Sequence, residues 1–104
     1  MESARNTTRN GTLFEADEGP QKVTRHGLRD LLKSQGYCCG LTGRKLSPQT
    51  ASLDHIVPVG RGGRHDMSNL QVLDVCVNAA KGTLTQAEFI SICRDVVAHI
   101  DRTP

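Results

Sequence analysis

Residues 52–81 of this chain read SLDHIVPVGRGGRHDMSNLQVLDVCVNAAK, and this stretch is the most informative part of the sequence. It begins with an adjacent acid and imidazole, Asp54 and His55, and continues into a glycine-rich segment. Near its end Asn78 and Lys81 are spaced three residues apart. A carboxylate, an imidazole, an amide and an ammonium are groups that catalyse cleavage of a phosphodiester. The stretch therefore predicts phosphodiester chemistry.

The first half of this stretch is predicted to form a strand and an irregular loop. Residues 51–56 are the strand, and its alternation places His55 on the face opposite to Asp54. Regular structure then ends at Pro58 and at the glycines in positions 60, 62 and 63. A simple hairpin turn is the alternative interpretation of these glycines.

The second half is predicted to form a helix over residues 69–81. Ser68 is a suitable N-cap and Gly82 a suitable stop for it. On such a helix Asn78 and Lys81 would share a face, so both can approach one phosphate. Each residue also has a simpler explanation, because a lysine at a helix C-terminus stabilises the helix dipole and an asparagine need have no chemical role.

Two more helices are predicted on either side. Thr24 would cap a first helix that Gly36 ends, with Leu28, Leu31 and Leu32 on one face. Thr85 and Glu88 form a capping box for a last helix. The apolar residues of that helix keep a 3.6-residue period, which indicates packing, at Phe89, Ile90, Cys93, Val96, Val97 and Ile100. Residues 37–43 are predicted to form a short strand and turn.

Positive charge is concentrated around the central stretch. The net charge of the chain is only +2, but residues 19–82 carry nine Lys and Arg against four Asp, a net of +5. Arg25, Arg29 and Lys33 follow at i,i+4 intervals and would form a cationic ridge on the first helix. Such a ridge favours a polyanionic partner, although a merely solvated helix face is the alternative.

Length and composition predict one small domain. Of the 104 residues, we expect 1–20 to form a flexible arm that contacts the domain at Leu13 and Phe14, and 21–104 to form the domain. The chain begins without an apolar signal sequence and has no apolar run that could span a membrane. Its four cysteines are therefore expected to be reduced thiols of a cytoplasmic protein.

The residues of the central stretch stand in the order of the HNH motif, and the chain resembles the small HNH endonucleases of phages and bacteria. The resemblance implies an α+β fold with a ββα-metal (His-Me finger) core, in which a short antiparallel hairpin and a helix lie between N- and C-terminal helices. It implies that His55 is the general base and that Asn69 ties the loop down. It also implies that Asp54 and Asn78 bind one Mg²⁺ or Mn²⁺, beside which Lys81 offsets transition-state charge.

The chain departs from this family at its cysteines. Many HNH proteins brace the fold with a zinc ion held by two Cys-x-x-Cys pairs. Here Thr42 stands three residues after Cys39, and the expected positions on the far side hold Asp74 and Val77. No structural zinc is expected, the cysteines are interpreted as small buried hydrophobic residues, and stability is expected from the two flanking helices.

The sequence thus predicts a metal-dependent DNA endonuclease that nicks one strand of double-stranded DNA per active site with low sequence specificity. It would act as a monomer or weak dimer, in a bacterium or a phage-infected host, with room for a partner protein that directs specificity. The expected DNA contacts are Arg25, Arg29, Lys33, Arg61, Arg64 and His65. For His65 a loop histidine without a role is the alternative. The competing functions are a non-catalytic nucleic-acid-binding module, and an interaction domain in which a cation held by Asp54 and Asn78 orders a loop.

Overall fold

A computed structural model of the chain describes residues 22–102. In chain order its main elements are α1 (Arg25–Ser34), β1 (Ala51–His55), β2 (Leu70–Asp74), α2 (Val75–Lys81) and α3 (Gln86–Arg102). The arm predicted for residues 1–20, with its contact at Leu13 and Phe14, lies outside the described residues. Between residues 22 and 102, none of the helices combines the length and the apolar composition needed to cross a bilayer.

An antiparallel hairpin followed by a short helix forms the centre of the fold. β1 and β2 pair from Ala51 opposite Asp74 to His55 opposite Leu70. α2 begins directly after β2, so the helix returns across the hairpin and packs against both strands. The predicted α+β class, with a hairpin, a helix and flanking helices, is confirmed.

The prediction of a continuous helix over residues 69–81 is wrong in its first half. Ser68 does not cap that helix, because it lies within a 3₁₀ turn, Met67–Asn69, that Asp66 caps through a 2.8 Å hydrogen bond from the Ser68 N–H. β2 occupies Leu70–Asp74, and its first four residues are buried. Burial on both faces removes the polar alternation that marks a strand in sequence. The helix begins at Val75 instead, and Gly82 ends it as predicted.

The second edge of β2 is covered by a side chain rather than by a third strand. Gln35 accepts a hydrogen bond from the Val72 N–H (2.9 Å) and donates to the carbonyl oxygens of Val72 and Cys38 (both 2.8 Å). Residues 37–43, predicted as a strand and turn, form an isolated bridge between Cys38 and Lys45 instead of a strand, and the Gly40 N–H also donates to the Val72 carbonyl at 3.0 Å. The amide of Gln35 therefore satisfies backbone groups that an edge strand would leave open.

The capping signals of the flanking helices are confirmed. Thr24 caps α1 by accepting a hydrogen bond from the Gly27 N–H at 2.9 Å. At α3 the capping box is reciprocal: the Thr85 N–H donates to Glu88 Oε1 at 3.0 Å, and the Glu88 N–H donates to Thr85 Oγ1 at 3.2 Å. Local side-chain contacts thus determine where both helices begin.

The flanking helices do not supply the core, contrary to expectation. The buried apolar side chains are Cys39, Leu70, Val72, Leu73 and Val77, and neither α1 nor α3 contains a buried residue. Phe89 packs against the cluster of Cys39, Leu73 and Val77, whereas the later apolar residues of α3 are 49–62% exposed at Ile92, Val96, Val97 and Ile100. The core of the described residues therefore belongs to β2, to α2 and to the segment that contains Cys39.

Only one of the four cysteines is a buried hydrophobic residue as predicted. Cys39 is 3% exposed, whereas Cys76 and Cys93 are exposed. Burial raises the pKa of the Cys39 thiol, but hydrogen bonds from the Thr42 side chain and from the backbone, that of Asp74 included, outweigh this effect and lower the pKa overall. Cys39 is thus joined to Thr42 and Asp74 by hydrogen bonds and lies in one apolar cluster with Val77.

Candidate active site

The loop between β1 and β2 is closed by the side chain of Asn69. Its Oδ1 accepts a hydrogen bond from the Val57 N–H (2.9 Å), and its Nδ2 donates to the carbonyl oxygens of Val57 (3.0 Å) and Arg64 (2.8 Å). The Ile56 N–H also donates to the Asn69 carbonyl at 2.8 Å. This geometry agrees with the expectation that the Asn69 amide ties the loop down; its part in catalysis stays a prediction.

Two of the three loop glycines are required by the backbone. Gly62 has φ +92°, a left-handed conformation that residues with side chains rarely adopt. A Cβ on Gly63 would lie 1.8 Å from the carbonyl oxygen of Val57, whereas Gly60 has open space around it. The segment is a compact folded loop that contains a 3₁₀ turn, Val59–Arg61, and not a simple hairpin turn. It leads directly from His55 and Val57 to the anchor at Asn69.

His55 lies at the end of β1 and contacts a second histidine from the loop. Its Nε2 is 2.9 Å from Nδ1 of His65, and the ring centroids are 5.2 Å apart. His55 is half-buried and His65 is exposed. The imidazole predicted to be the general base is therefore in contact with His65, ten residues further along the chain. The sequence alone predicts either a phosphate contact or no role for His65.

Asp54 points to the other face of β1 and is enclosed. Its side chain is 5% exposed and lies 3.1 Å from Lys81 Nζ at each oxygen. Gln71, directly opposite in β2, donates from Nε2 to Asp54 Oδ2 at 2.9 Å and also to Gln86 Oε1 at 2.8 Å. A buried carboxylate needs such partners, because desolvation alone would make its charge very unfavourable.

Lys81 does not lie where the sequence interpretation placed it. Its side chain is completely enclosed, and its Nζ donates to Asp54 Oδ1 and to the His55 carbonyl oxygen, each at 3.1 Å. The expectation that Lys81 and Asn78 face one phosphate is therefore corrected for Lys81: an ammonium without exposed surface cannot contact DNA in this arrangement. Lys81 instead joins the end of α2 to the end of β1 and compensates the charge of Asp54.

Asn78 faces β1 as expected from its place on the helix. Its Nδ2 donates to Ser52 Oγ at 2.7 Å and to the Leu53 carbonyl oxygen at 3.1 Å. Because a carbonyl oxygen only accepts hydrogen bonds, the contact with Leu53 identifies the amide nitrogen and leaves Oδ1 as the available oxygen. α2 thus brings Asn78 and Lys81 against four consecutive residues of the strand that carries Asp54 and His55.

Asp54 and Asn78 offer the kind of oxygen ligands that a hard divalent cation prefers. A carboxylate has about four lone-pair sites, and Lys81 and Gln71 leave part of this capacity on Asp54. Asn78 Oδ1 accepts no hydrogen bond from the described residues. Carboxylate and amide oxygens suit Mg²⁺ or Mn²⁺ rather than softer metals. Residues 22–102 contain no group of three or more His, Cys, Asp and Glu side chains that could together hold a metal ion.

The residues predicted to contact DNA fall into two groups. Arg61 forms a two-point ion pair with Glu88, in which Nη2 lies 3.2 Å from Oε2, and it also donates to the Thr83 carbonyl (3.4 Å). Arg61 therefore ties the loop to α3. The others have exposed side chains: Arg64, which lies 3.8 Å from Asp66, the ridge of Arg25, Arg29 and Lys33, and His65, whose ring contacts His55.

The central part of the chain matches the model of a known family. A family model described as HNH endonuclease matches residues 37–76, which include β1, the loop and β2. The match confirms the HNH resemblance. It ends before Asn78 and Lys81 and therefore does not test their assignments. No curated protein matches the chain. HNH proteins are generally nucleases that use divalent metals and act on DNA, which indicates a nucleic-acid-related function here.

Two supporting residues escaped the sequence interpretation. Gln71 lies two residues after Asn69, but its hydrogen bond to Asp54 depends on strand pairing in a segment that was predicted to be a helix. Glu88 was recognised as a cap, yet its ion pair with Arg61 spans 27 positions and leaves no local pattern. A correct assignment of β2 would have found Gln71, because the residue opposite an acid in a hairpin is a natural partner.

Proposed function

We propose that this protein is a metal-dependent DNA endonuclease that hydrolyses phosphodiester bonds with His55 as the general base. The observation that carries the proposal is the convergence of β1 and α2: Asn78 and Lys81 contact the stretch from Ser52 to His55, where the acid and the imidazole lie. An imidazole has a pKa suited to accepting a proton from water near neutral pH.

The metal ligands in this proposal are Asp54 and Asn78. A bound Mg²⁺ or Mn²⁺ would act as a Lewis acid on the phosphoryl group and stabilise the leaving oxygen. Lys81 and Gln71 hold the carboxylate of Asp54 in one orientation. Asn78 is oriented by its hydrogen bonds to Ser52 and Leu53, which point its nitrogen away and leave its oxygen for the ion.

The exposed ridge on α1 supports DNA as the substrate. Arg25 and Arg29 line a shallow depression whose other wall includes Ser52 and Leu53 of β1. Ser52 accepts the hydrogen bond from Asn78, so the basic side of α1 lies beside the strand that leads to the site. Phosphate contacts of this kind position a duplex without reading its bases, which fits low sequence specificity.

The test is incubation of supercoiled plasmid with the wild type and with His55→Ala, each in Mg²⁺, Mn²⁺ or EDTA. We expect open circles from the wild type and not from His55→Ala, and we expect them only when metal is present. Open circles are expected because one active site cuts one strand. Direct linearisation would mean that two copies act together. Faster cleavage with Zn²⁺ or Ni²⁺ than with Mg²⁺ or Mn²⁺ would contradict the proposed ligands.

The same experiment separates the alternative function. A non-catalytic nucleic-acid-binding module of the same fold would bind DNA in a gel shift but would not cut it in the presence of any metal. His55→Ala must retain DNA affinity for its loss of cutting to support catalysis. A structural cation site would appear as metal-dependent melting without nuclease activity.

A further inference from the structure

His65 is in direct contact with the proposed general base. Its Nδ1 lies 2.9 Å from His55 Nε2, with the two ring planes inclined by 46°. Two lone pairs, or two N–H groups, would repel at this separation, so one ring donates and the other accepts. We propose that His65 is a positioning residue: its Nδ1 accepts the Nε2 proton of His55 and holds His55 in the tautomer whose Nδ1 is the free base.

Only this direction of the hydrogen bond leaves His55 able to accept a proton. When His55 donates from Nε2, its Nδ1 keeps a lone pair that can take a proton from water. When His65 donates instead, His55 Nε2 accepts and Nδ1 carries the hydrogen, so neither nitrogen is a base. A base whose second nitrogen is oriented by another group is a general arrangement in acid–base catalysis. The catalytic consequence rests on the proposed function; the tautomer of His55 does not.

The loop holds His65 firmly enough for this role. On one side the Arg64 carbonyl accepts a 2.8 Å hydrogen bond from Asn69 Nδ2. On the other, Asp66 is 2% exposed and accepts from both the N–H and the hydroxyl of Ser68, each at 2.8 Å. Because both of its chain neighbours are anchored, His65 has little freedom to leave His55.

The experiment compares two substitutions that differ in their acceptor. His65→Phe keeps the ring and removes both nitrogens, whereas His65→Asn can place its Oδ1 near the position of Nδ1. His26→Phe is the matched control, because His26 is 80% exposed on α1. The single-turnover nicking rate and the DNA dissociation constant are measured for each. We expect His65→Phe to lower the rate at least about tenfold, a part of the roughly 10²–10⁴-fold that a general base contributes, with unchanged affinity. His65→Asn should restore most of the rate, and the control should not change it.

A second measurement does not depend on activity. In the metal-free protein, ¹⁵N NMR at about pH 8 identifies which ring nitrogen of His55 carries hydrogen. We expect Nε2–H in the wild type and in His65→Asn, and a mixture of tautomers in His65→Phe. A wild-type His55 protonated at Nδ1 would overturn the proposal.

The remaining outcomes are also decisive. If His65→Phe weakens DNA binding and leaves the rate unchanged, His65 is a phosphate contact and the proposal is wrong. If His65→Asn is as slow as His65→Phe, the hydrogen-bond acceptor does not explain the loss of rate and the proposal is wrong. If the wild type shows the expected tautomer but cuts no DNA, the positioning of His55 stands and the nuclease function fails.

Discussion

Lys81 Nζ lies 3.1 Å from the Asp54 carboxylate, and both side chains are enclosed, at 0% and 5% exposure. The pair joins the last residue of α2 to β1, 27 positions earlier. Its charges are compensated only by each other and by neighbouring hydrogen-bonding groups. Removing one partner of such a pair is costly because the other charge stays buried.

Lys81→Met should therefore destabilise the protein by about 3–5 kcal/mol, measured by urea unfolding at neutral pH. Lys33→Met, at an exposed position on α1, is the control and should change the stability by less than about 0.5 kcal/mol. The double variant Asp54→Asn, Lys81→Met should recover part of the loss, since it leaves no uncompensated charge. A loss below about 1 kcal/mol for Lys81→Met would show that the buried pair is not formed.

Gly63→Ala should distort the loop, and Gly60→Ala should not. The added Cβ at 63 would meet the Val57 carbonyl at 1.8 Å, whereas nothing lies within 4 Å of one at 60. We expect Gly63→Ala to lower stability by more than about 1 kcal/mol and to slow any nicking, because the backbone must move near His55. Thermal unfolding and the plasmid assay measure both effects. Equal behaviour of the two variants would contradict the loop geometry.

The ridge on α1 should carry part of the salt dependence of DNA binding. Replacing Arg25 and Arg29 by Gln is expected to reduce the slope of log K against log salt by up to about 2, because each phosphate contact contributes about 0.9. Arg94→Gln with Arg102→Gln on α3 makes the same charge change elsewhere and should alter the slope less. The slopes are obtained from fluorescence anisotropy at several salt concentrations. If the two double variants have identical slopes, the DNA does not bind at the ridge on α1.

The ion pair between Arg61 in the loop and Glu88 in α3 should persist in mildly acidic solution. A hydrogen bond from Arg61, with further contributions from Thr85 and from the Arg61 charge, lowers the pKa of Glu88 from 4.5 to about 2. A depressed carboxyl pKa means that the stabilising contribution is fully present above pH 4.5 and is lost as the pH falls through about 2. A ¹³C NMR titration of the Glu88 carboxyl should show this low midpoint, and Arg61→Gln should raise it toward 4.5. An ordinary midpoint in the wild type would exclude the ion pair.

Local signals in the sequence predicted the boundaries of several elements correctly. Thr24 and the pair of Thr85 and Glu88 mark helix starts through contacts within four residues, and Gly82 marks a helix end. β2 was missed for the opposite reason. Its first four residues are buried on both faces, so they lack the alternation of a strand, and Ser68 resembled a helix cap when it belongs to a 3₁₀ turn.

The features of the candidate site were also predicted only in part from the sequence. Pro58 and the glycines predicted that the strand carrying Asp54 and His55 ends in a loop. The resemblance implied that Asn69 ties this loop down, and the hydrogen bonds of Asn69 agree with that expectation. The apolar periodicity of α3 predicted that one face of this helix packs against the core. Among the described residues of α3, Phe89 is the one that packs against the core cluster. Periodicity states which face of a helix is apolar, but not whether another element covers it.

The sequence by itself determined the motif, the caps and the glycine-dependent loop, because these depend on residue chemistry and on backbone sterics over a few positions. Only the tertiary structure decided that Lys81 is buried against Asp54, that Gln71 supports the same carboxylate and that His65 contacts His55. Those contacts depend on strand register and on the path of a long loop. Register and loop path follow from burial and hydrogen bonding over the whole domain, which no short segment of the sequence encodes.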